Sequence, residues 1–343
     1  MNTTQRDSTR REFLAACSAG FAATSRLATA SENDPQPEKD RDQPALIAIS
    51  LDLEMSRNFP KREDTHWDFE KGNLNEASKR YALNAARRVK DQGGKIHFFA
   101  LGQTMEQEKI DWLQEISKSG HPIGNHTYDH IYVKAKHAEE IQFRFRRAPW
   151  LIEGKSTRQV IEENVRMAAR ALKVRGGIEV SGFRTPGGFA DGLRDRPDVQ
   201  DLLLKLGYRW VSSVYPKHPP AVEGQAPDLS FIQGVIAAQA DAQPFVYPSG
   251  LIEVPMSPVS DINAFRTGRW SLDSFLEVTR ASVTWAIENG ATFDFLAHPS
   301  CLGVVDPEFR AIDLICRLVR EAGPRAALAD LDTLATRARP LPR

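Results

Sequence analysis

The chain has 343 residues, 41% of them hydrophobic, enough for one large α/β domain or two smaller ones around a substantial core. Lysine plus arginine equals aspartate plus glutamate at 45 each, so no charge excess favours nucleic acid or an anionic membrane surface as partner. The three cysteines, at positions 17, 301 and 316, form no C-x-x-C pair and exclude a disulfide-dense scaffold or a thiolate metal site.

Residues 1–30 read as an export signal. Thr9-Arg10-Arg11-Glu12-Phe13-Leu14 carries paired arginines, a short apolar run extends from Phe13 to Thr24, and Ala28-Thr29-Ala30 is a small-residue cleavage site. The pattern resembles a twin-arginine (Tat) signal and implies passage through the Tat export machinery to the periplasm or outside the cell. The apolar run is shorter than the roughly 20 residues a transmembrane helix needs. Leu14-Ala15-Ala16-Cys17 also fits a lipoprotein box, which gives a lipid anchor at Cys17 as the minor alternative. Residues 31–44, rich in charge and proline, form a flexible spacer.

From Ala45 the chain alternates strand-like and helix-like segments. Ala45 to Leu51 is an apolar run of strand length, suited to a strand buried on both faces. Asn75 to Gln92 is helical and stops at Gly93-Gly94. Lys95 to Leu101 is a second strand, with His97 as a core histidine, and Gln107 to Ser119 is a helix. The short Pro122–Asn125 segment suits a strand end, and His126 and His130 follow on what the four-residue spacing predicts to be one helical turn. Glu139 to Leu172 is mostly helical with a break over Pro149–Ser156. Glu179 to Phe183 is a strand, Pro197 to Leu206 a helix and Tyr208 to Val214 a strand; Tyr215 to Gly250, with six prolines, is a long loop. Gly250 to Met256 and Thr292 to Ala297 are strands. Ser271 to Glu288 and Asp306 to Glu321 are amphipathic helices, the second with Asp306 as N-cap and Pro307 in its first position. Cys301 and Cys316 are expected to stay unpaired. The alternation predicts an α/β fold whose mostly parallel sheet is closed or nearly closed into a β/α barrel; an open doubly wound sheet is the alternative.

Ligands of such folds bind beyond the C-terminal ends of the strands. The polar residues there are Asp52 and Glu54 after the first strand, His126 and His130 after the short one, Arg184-Thr185-Pro186-Gly187-Gly188 after the Glu179 strand, and His298 after the Thr292 strand. Asp52 and Glu54, two apart on an extended segment, share one side.

These residues resemble the motifs of the polysaccharide deacetylase (NodB-homology) family, carbohydrate esterase family four, over residues 45–343. His126-Thr127-Tyr128-Asp129-His130 matches its H-[ST]-x-x-H motif, Arg184-Thr185-Pro186 its R-x-P motif and Leu296-Ala297-His298 its L-x-H motif. The first motif, usually T-F-D-D-G, departs: Ser50-Leu51-Asp52-Leu53-Glu54 keeps one aspartate, and Glu54 stands in for the second. The aspartate-bearing fourth motif has no counterpart, because Tyr208-Arg209-Trp210-Val211-Ser212 occupies its place without an acid.

The resemblance implies a distorted, incomplete barrel of the polysaccharide deacetylase type and a hydrolase of non-peptide carbon–nitrogen bonds. Its expected reaction is N-deacetylation of a chitin-like or peptidoglycan-like polymer. A divalent metal, zinc first and otherwise cobalt, manganese or nickel, is expected on Glu54, His126 and His130. Asp52 is then the general base, Arg184 its charge partner, and His298 the acid that protonates the departing nitrogen. Leu296 lines a pocket for an acyl methyl, Pro186, Gly187 and Tyr128 border the substrate, and the amide of Gly187 or Tyr128 faces the oxyanion. Two further functions remain open: an allantoinase-like hydrolysis of a small amide or ureide, and a carbohydrate-binding pseudoenzyme.

Overall fold

The run Ala45–Leu53 forms the central strand, β1, and all nine of its residues are buried. Burying Ile47, Ile49 and Leu51 stabilises the fold by about 2 kcal/mol per side chain relative to exposure. The computed structural model describes residues 43–67 and 69–341. The twin-arginine segment, the Cys17 alternative and the spacer up to residue 42 lie outside the described residues.

The other strands are β2 (Ile96–Ala100), β3 (Ile123–Asn125), β4 (Phe183–Phe189), β5 (Trp210–Val214), β6 (Phe245–Val246), β7 (Ile252–Glu253), β8 (Thr292–Ala297), β9 (Ala326–Ala329) and β10 (Arg339–Pro340). They lie in the order β10-β6-β7-β5-β4-β3-β2-β1-β8, with β9 also paired to β1. Every pair is parallel except β6–β7. The sheet therefore curls from β5 round to β8 without a closing strand pair. The gap is narrowed by the segment after β7, where Met256 N–H donates to Val214 O at 2.9 Å and Ser257 N–H to Asp294 O at 3.0 Å. This is the distorted, incomplete barrel that the family resemblance implies.

Helices cover the outer face. In α1 (Glu76–Asp91) Asn75 Oδ1 accepts from Ser78 N–H at 2.8 Å and the chain leaves through Gly93, as the sequence predicts. A capping box of Ser156 and Gln159 opens α2 (Thr157–Gly176), and Ser271 opens α3 (Leu272–Glu288). The last long helix, α4 (Arg310–Ala322), starts later than predicted. Phe309 turns into left-handed backbone at φ 63°, which leaves Pro307 outside the helix, while the Asp306 carboxylate still accepts from the amides of Arg310 and Ala311, each at 2.8 Å. Among the described residues no helix is long and apolar enough to cross a membrane.

Three further expectations are corrected. The strand predicted over Glu179–Phe183 begins only at Phe183, so the Arg184–Gly188 motif lies within β4 and not after it. The cause is Gly182, at φ 72°, which packs so tightly on the Trp210 indole that a Cβ would sit 2.0 Å from the ring. The proline-rich stretch 215–250 is not all loop: Leu229–Asp241 is helical, capped by Asp228, and buries Phe231 and Val235. His126–His130 is not a helical turn, because Thr127 and His130 both adopt left-handed backbone, at φ 66° and 56°. Cys301 and Cys316 are buried and free, as expected.

Candidate metal and acid–base site

Arg184 organises the end of the barrel. Its side chain is fully buried and lies over the Phe99 ring, 4.2 Å from the centroid. It donates to Asp52 Oδ1 at 2.9 Å, to Ser50 Oγ at 2.8 Å, to Ser212 Oγ at 3.2 Å and to the buried Asp294 carboxylate. A buried charge is tolerated only when it is paired and hydrogen-bonded, and here four strands contribute to that pairing. Burial pushes the Asp294 carboxyl above its ordinary range despite the neighbouring guanidinium. The Arg184 backbone carbonyl also lies 3.0 Å from His126 Nδ1, which places the proton on Nδ1 and leaves the Nε2 lone pair facing inward.

The loop after β3 owes its shape to polar side chains. Asn125 Oδ1 accepts from Thr127 N–H at 2.7 Å, and Asn164, on α2, accepts from the amides of Tyr128 and Asp129, both at 2.9 Å. Asp129 is held by Asn164, Gln103 and Arg144. These bonds hold the left-handed backbone that turns His126 and His130 to one point.

At that point Glu54 meets both imidazoles. Its Oε2 lies 2.7 Å from His130 Nε2 and 3.5 Å from His126 Nε2, yet it is buried without a directional hydrogen bond. Ligand atoms of Glu54, His126 and His130 all lie within 4.8 Å of one another, so these three can hold one metal ion. The donor set of two nitrogens and one oxygen suits a divalent transition metal, and the orphaned oxygen and fixed His126 tautomer fit it. Asp52 Oδ2 lies 3.8 Å from His126 Nε2, beside the cluster. Glu54 is also bonded by a residue the sequence did not single out: buried Lys71 reaches its Oε1 at 2.7 Å. Burial alone would raise the Glu54 pKa, but His130, Lys71 and His126 hold it well below the usual carboxylate range. Burial lowers the His130 pKa, with Lys71 and His126 acting in the same direction and Glu54 opposing them.

His298, at the end of β8, lies across from this cluster, its Nε2 3.8 Å from Glu54 Oε1. The missing acid is found here. Asp261 Oδ1 lies 2.9 Å from His298 Nδ1, and its other oxygen accepts from His298 N–H at 2.7 Å. Burial works against the charged imidazole, but Asp261, Glu54 and Asp52 outweigh it and raise the His298 pKa. The Tyr208–Ser212 segment is structural: Tyr208 hydroxyl packs against Asn125 and Ser212 accepts from Arg184. No local pattern links Asp261 to His298, since the two come together only through tertiary structure.

The proposed substrate-side residues divide. Leu296 is buried in β8 opposite Ser50, and Pro186 is buried in β4. Gly187 is exposed at φ 77°, in the bulge where the β4–β5 register slips. The Tyr128 amide does not face an oxyanion, because Asn164 already accepts its hydrogen, and its hydroxyl donates to Glu106 at 2.5 Å. A surface cavity of about 440 Å³ lined by Arg88, Gln92, Asp313, Arg317 and Arg320 lies among the outer helices and contains none of these residues.

The family model for polysaccharide deacetylase matches residues 69–211, which include His126, His130 and Arg184 but neither Asp52, Glu54 nor His298. No curated protein matches the chain in sequence. Among solved structures, one assigned as a polysaccharide deacetylase of Mycobacterium smegmatis is 14% identical, with a TM-score of 0.54 over 90% of this chain and 93% of that one. Another so assigned, from Pseudomonas aeruginosa PAO1, is 13% identical, with a TM-score of 0.56 over 89% and 94%. A PuuE allantoinase is 14% identical, with a TM-score of 0.54 over 89% and 93%. At these identities the likeness is one of fold.

Proposed function

We propose, from the match of residues 69–211 to the polysaccharide deacetylase family model, that the chain is a member of that family and hydrolyses a non-peptide carbon–nitrogen bond, removing the acetyl group from an N-acetylated polysaccharide. One observation carries this reading: two carboxylates and three histidines meet at one end of the barrel, and their environments divide them into a metal-binding set and a proton-donating set. Glu54, His126 and His130 would hold a divalent cation, which supplies charge to polarise the carbonyl and to make water acidic near neutral pH. Asp52, kept in place by Arg184, accepts the proton of the attacking water. His298, charged by Asp261, gives its proton to the departing amine, which then leaves as a free amino sugar while acetate remains. The twin-arginine pattern at Arg10 and Arg11 supports export, so the substrate we propose lies outside the cytoplasm.

A second reading, hydrolysis of a small amide or ureide, is favoured by the altered first motif, Asp52-Leu53-Glu54, and by Arg184-Thr185-Pro186-Gly187-Gly188, and the likeness of fold to an allantoinase is compatible with it. Acetate release from acetylated chitin oligomers and from peptidoglycan, with bound metal quantified on the same sample, tests both. Metal-dependent acetate that disappears in Asp52→Asn supports deacetylation. Stoichiometric metal without acetate moves the assignment to a small amide, and neither metal nor turnover leaves a glycan-binding pseudoenzyme.

A further inference from the structure

Among the described residues, two arginines beside this site, Arg57 and Arg266, make no hydrogen bond or ion pair. Arg57 follows Glu54 in a segment pinned to the barrel: Ser56 N–H donates to Ser300 Oγ at 2.9 Å, and Ser300 Oγ donates to the Glu54 carbonyl at 2.7 Å. Arg266 lies on the π-helical turn Ile262–Thr267, whose N-cap is Asp261, the residue that grips His298. A π-helical turn bonds residue i to residue i+5, which brings Arg266 back alongside Asp261. Among the described residues neither guanidinium makes a hydrogen bond or an ion pair.

That is unusual for Arg266, which is half-buried and whose charge is opposed first by burial and then by Arg57, while Glu54 and Asp261 favour it. Neither of those carboxylates is free to pair with it. Glu54 is engaged by Lys71 and His130, and Asp261 by His298. Nearby Arg269, which donates to the Pro60 carbonyl at 3.1 Å, adds another cation without a carboxylate. Among the described residues, with Asp52 taken up by Arg184, Arg57, Lys71, Arg266 and Arg269 outnumber Glu54 and Asp261 here, and a divalent metal would widen the excess. Arg57 is exposed, whereas Arg266 is partly out of water in the field of a like charge, and it lacks a paired counter-charge. The fork of a guanidinium matches a carboxylate.

We propose that Arg266, assisted by Arg57, is a specificity subsite for a carboxylate carried by the substrate beside the acylated nitrogen, so that the preferred ligand is an anionic N-acetylated sugar and not a neutral one. This rests on the hydrolase reading above and narrows its substrate.

The test compares N-acetylmuramic acid, which carries a lactyl carboxylate, with neutral N-acetylglucosamine. Acetate release and calorimetric binding are measured on the metal-loaded full chain and on Arg266→Gln, Arg57→Gln and Arg266→Lys, with thermal melts to show that each variant is folded. The wild type should favour the anionic sugar about tenfold in kcat/KM and in Kd. Arg266→Gln should remove most of that ratio through KM, Arg57→Gln a smaller part, and Arg266→Lys should retain some of it. A wild-type ratio near one, a ratio unmoved by Arg266→Gln, or no measurable binding of either sugar overturns the subsite. If neither sugar releases acetate, the deacetylase reading fails on these substrates, while the ratio of the two dissociation constants still decides the subsite.

Discussion

The loop after β3 and the end of β8 present the same side chain to the same carboxylate, yet prepare it for opposite work. His130 faces Glu54 with Lys71 close by, and burial with that second cation lowers its pKa, so it remains neutral with a lone pair to share. His298 faces Glu54 from the other side with Asp261 behind it, and its pKa rises although its side chain is the more buried of the two. What separates the proposed metal ligand from the proposed acid is the charge of the neighbour, not depth in the protein.

The largest effect should come from breaking the first of these environments. Glu54→Ala removes the only carboxylate of the three-ligand set and leaves His126 and His130 to bind alone. Metal should be lost on dialysis, and metal-dependent turnover should fall at least about a thousandfold. Elemental analysis beside the rate measurement checks this, and full activity with stoichiometric metal in that variant sinks the ligand assignment.

Breaking the second environment should do less. Asp261→Asn keeps a group of similar shape at 2.9 Å from His298 Nδ1 but removes its charge. Metal content should persist while kcat falls about a hundredfold. In the wild type the raised His298 pKa keeps the acid form present above 6.5, so activity should decline as pH rises through it. In Asp261→Asn that alkaline limb should move to lower pH. The stability supplied by this ion pair should follow the same sign: fully present below the unfolded value of about 6.5, and lost as pH rises through the folded one. An alkaline limb unmoved by the substitution would show that another group supplies the proton.

The same contrast explains what could be read from the sequence. β1 was legible because Ala45 to Leu51 is an apolar run broken only by Ser50, and the Asp52, Glu54, His126, His130, Arg184 and His298 positions were legible because each lies in a short local motif. Alternation pointed to a β/α barrel with an open doubly wound sheet as the alternative, and the family resemblance to the barrel's distorted, incomplete form. Asp261, Asp294 and Lys71 were not legible, since what marks them is a partner distant in sequence: His298, Arg184 and Glu54. The helical turn expected between His126 and His130 failed for a related reason. Spacing of four suits a helix, but Asn125 and Asn164 offer the loop amides other acceptors, and left-handed backbone at Thr127 brings the imidazoles together instead. Local pattern identified the ligands; non-local hydrogen bonds decided how they converge.

The smallest expected effect sharpens the comparison most, because Lys71 acts on the shared carboxylate itself. Its ammonium sits 2.7 Å from Glu54 Oε1, while Glu54 Oε2 faces the two imidazoles. Two consequences oppose each other when it is removed. The Glu54 carboxylate loses a cation that keeps its pKa low, so protons compete better with a metal for it as the pH falls; the metal position loses a like charge nearby, which favours a dication. Above pH 6, where Glu54 stays ionised with His130 as partner, the second consequence should dominate. Lys71→Met should therefore tighten metal binding about tenfold in a chelator competition, equivalent to about 1.4 kcal/mol, and make the neighbouring His130 easier to protonate in the metal-free chain. Weaker metal binding in Lys71→Met would mean that the ammonium acts mainly as a brace, holding Glu54 in the one rotamer from which Oε2 can reach both His126 and His130.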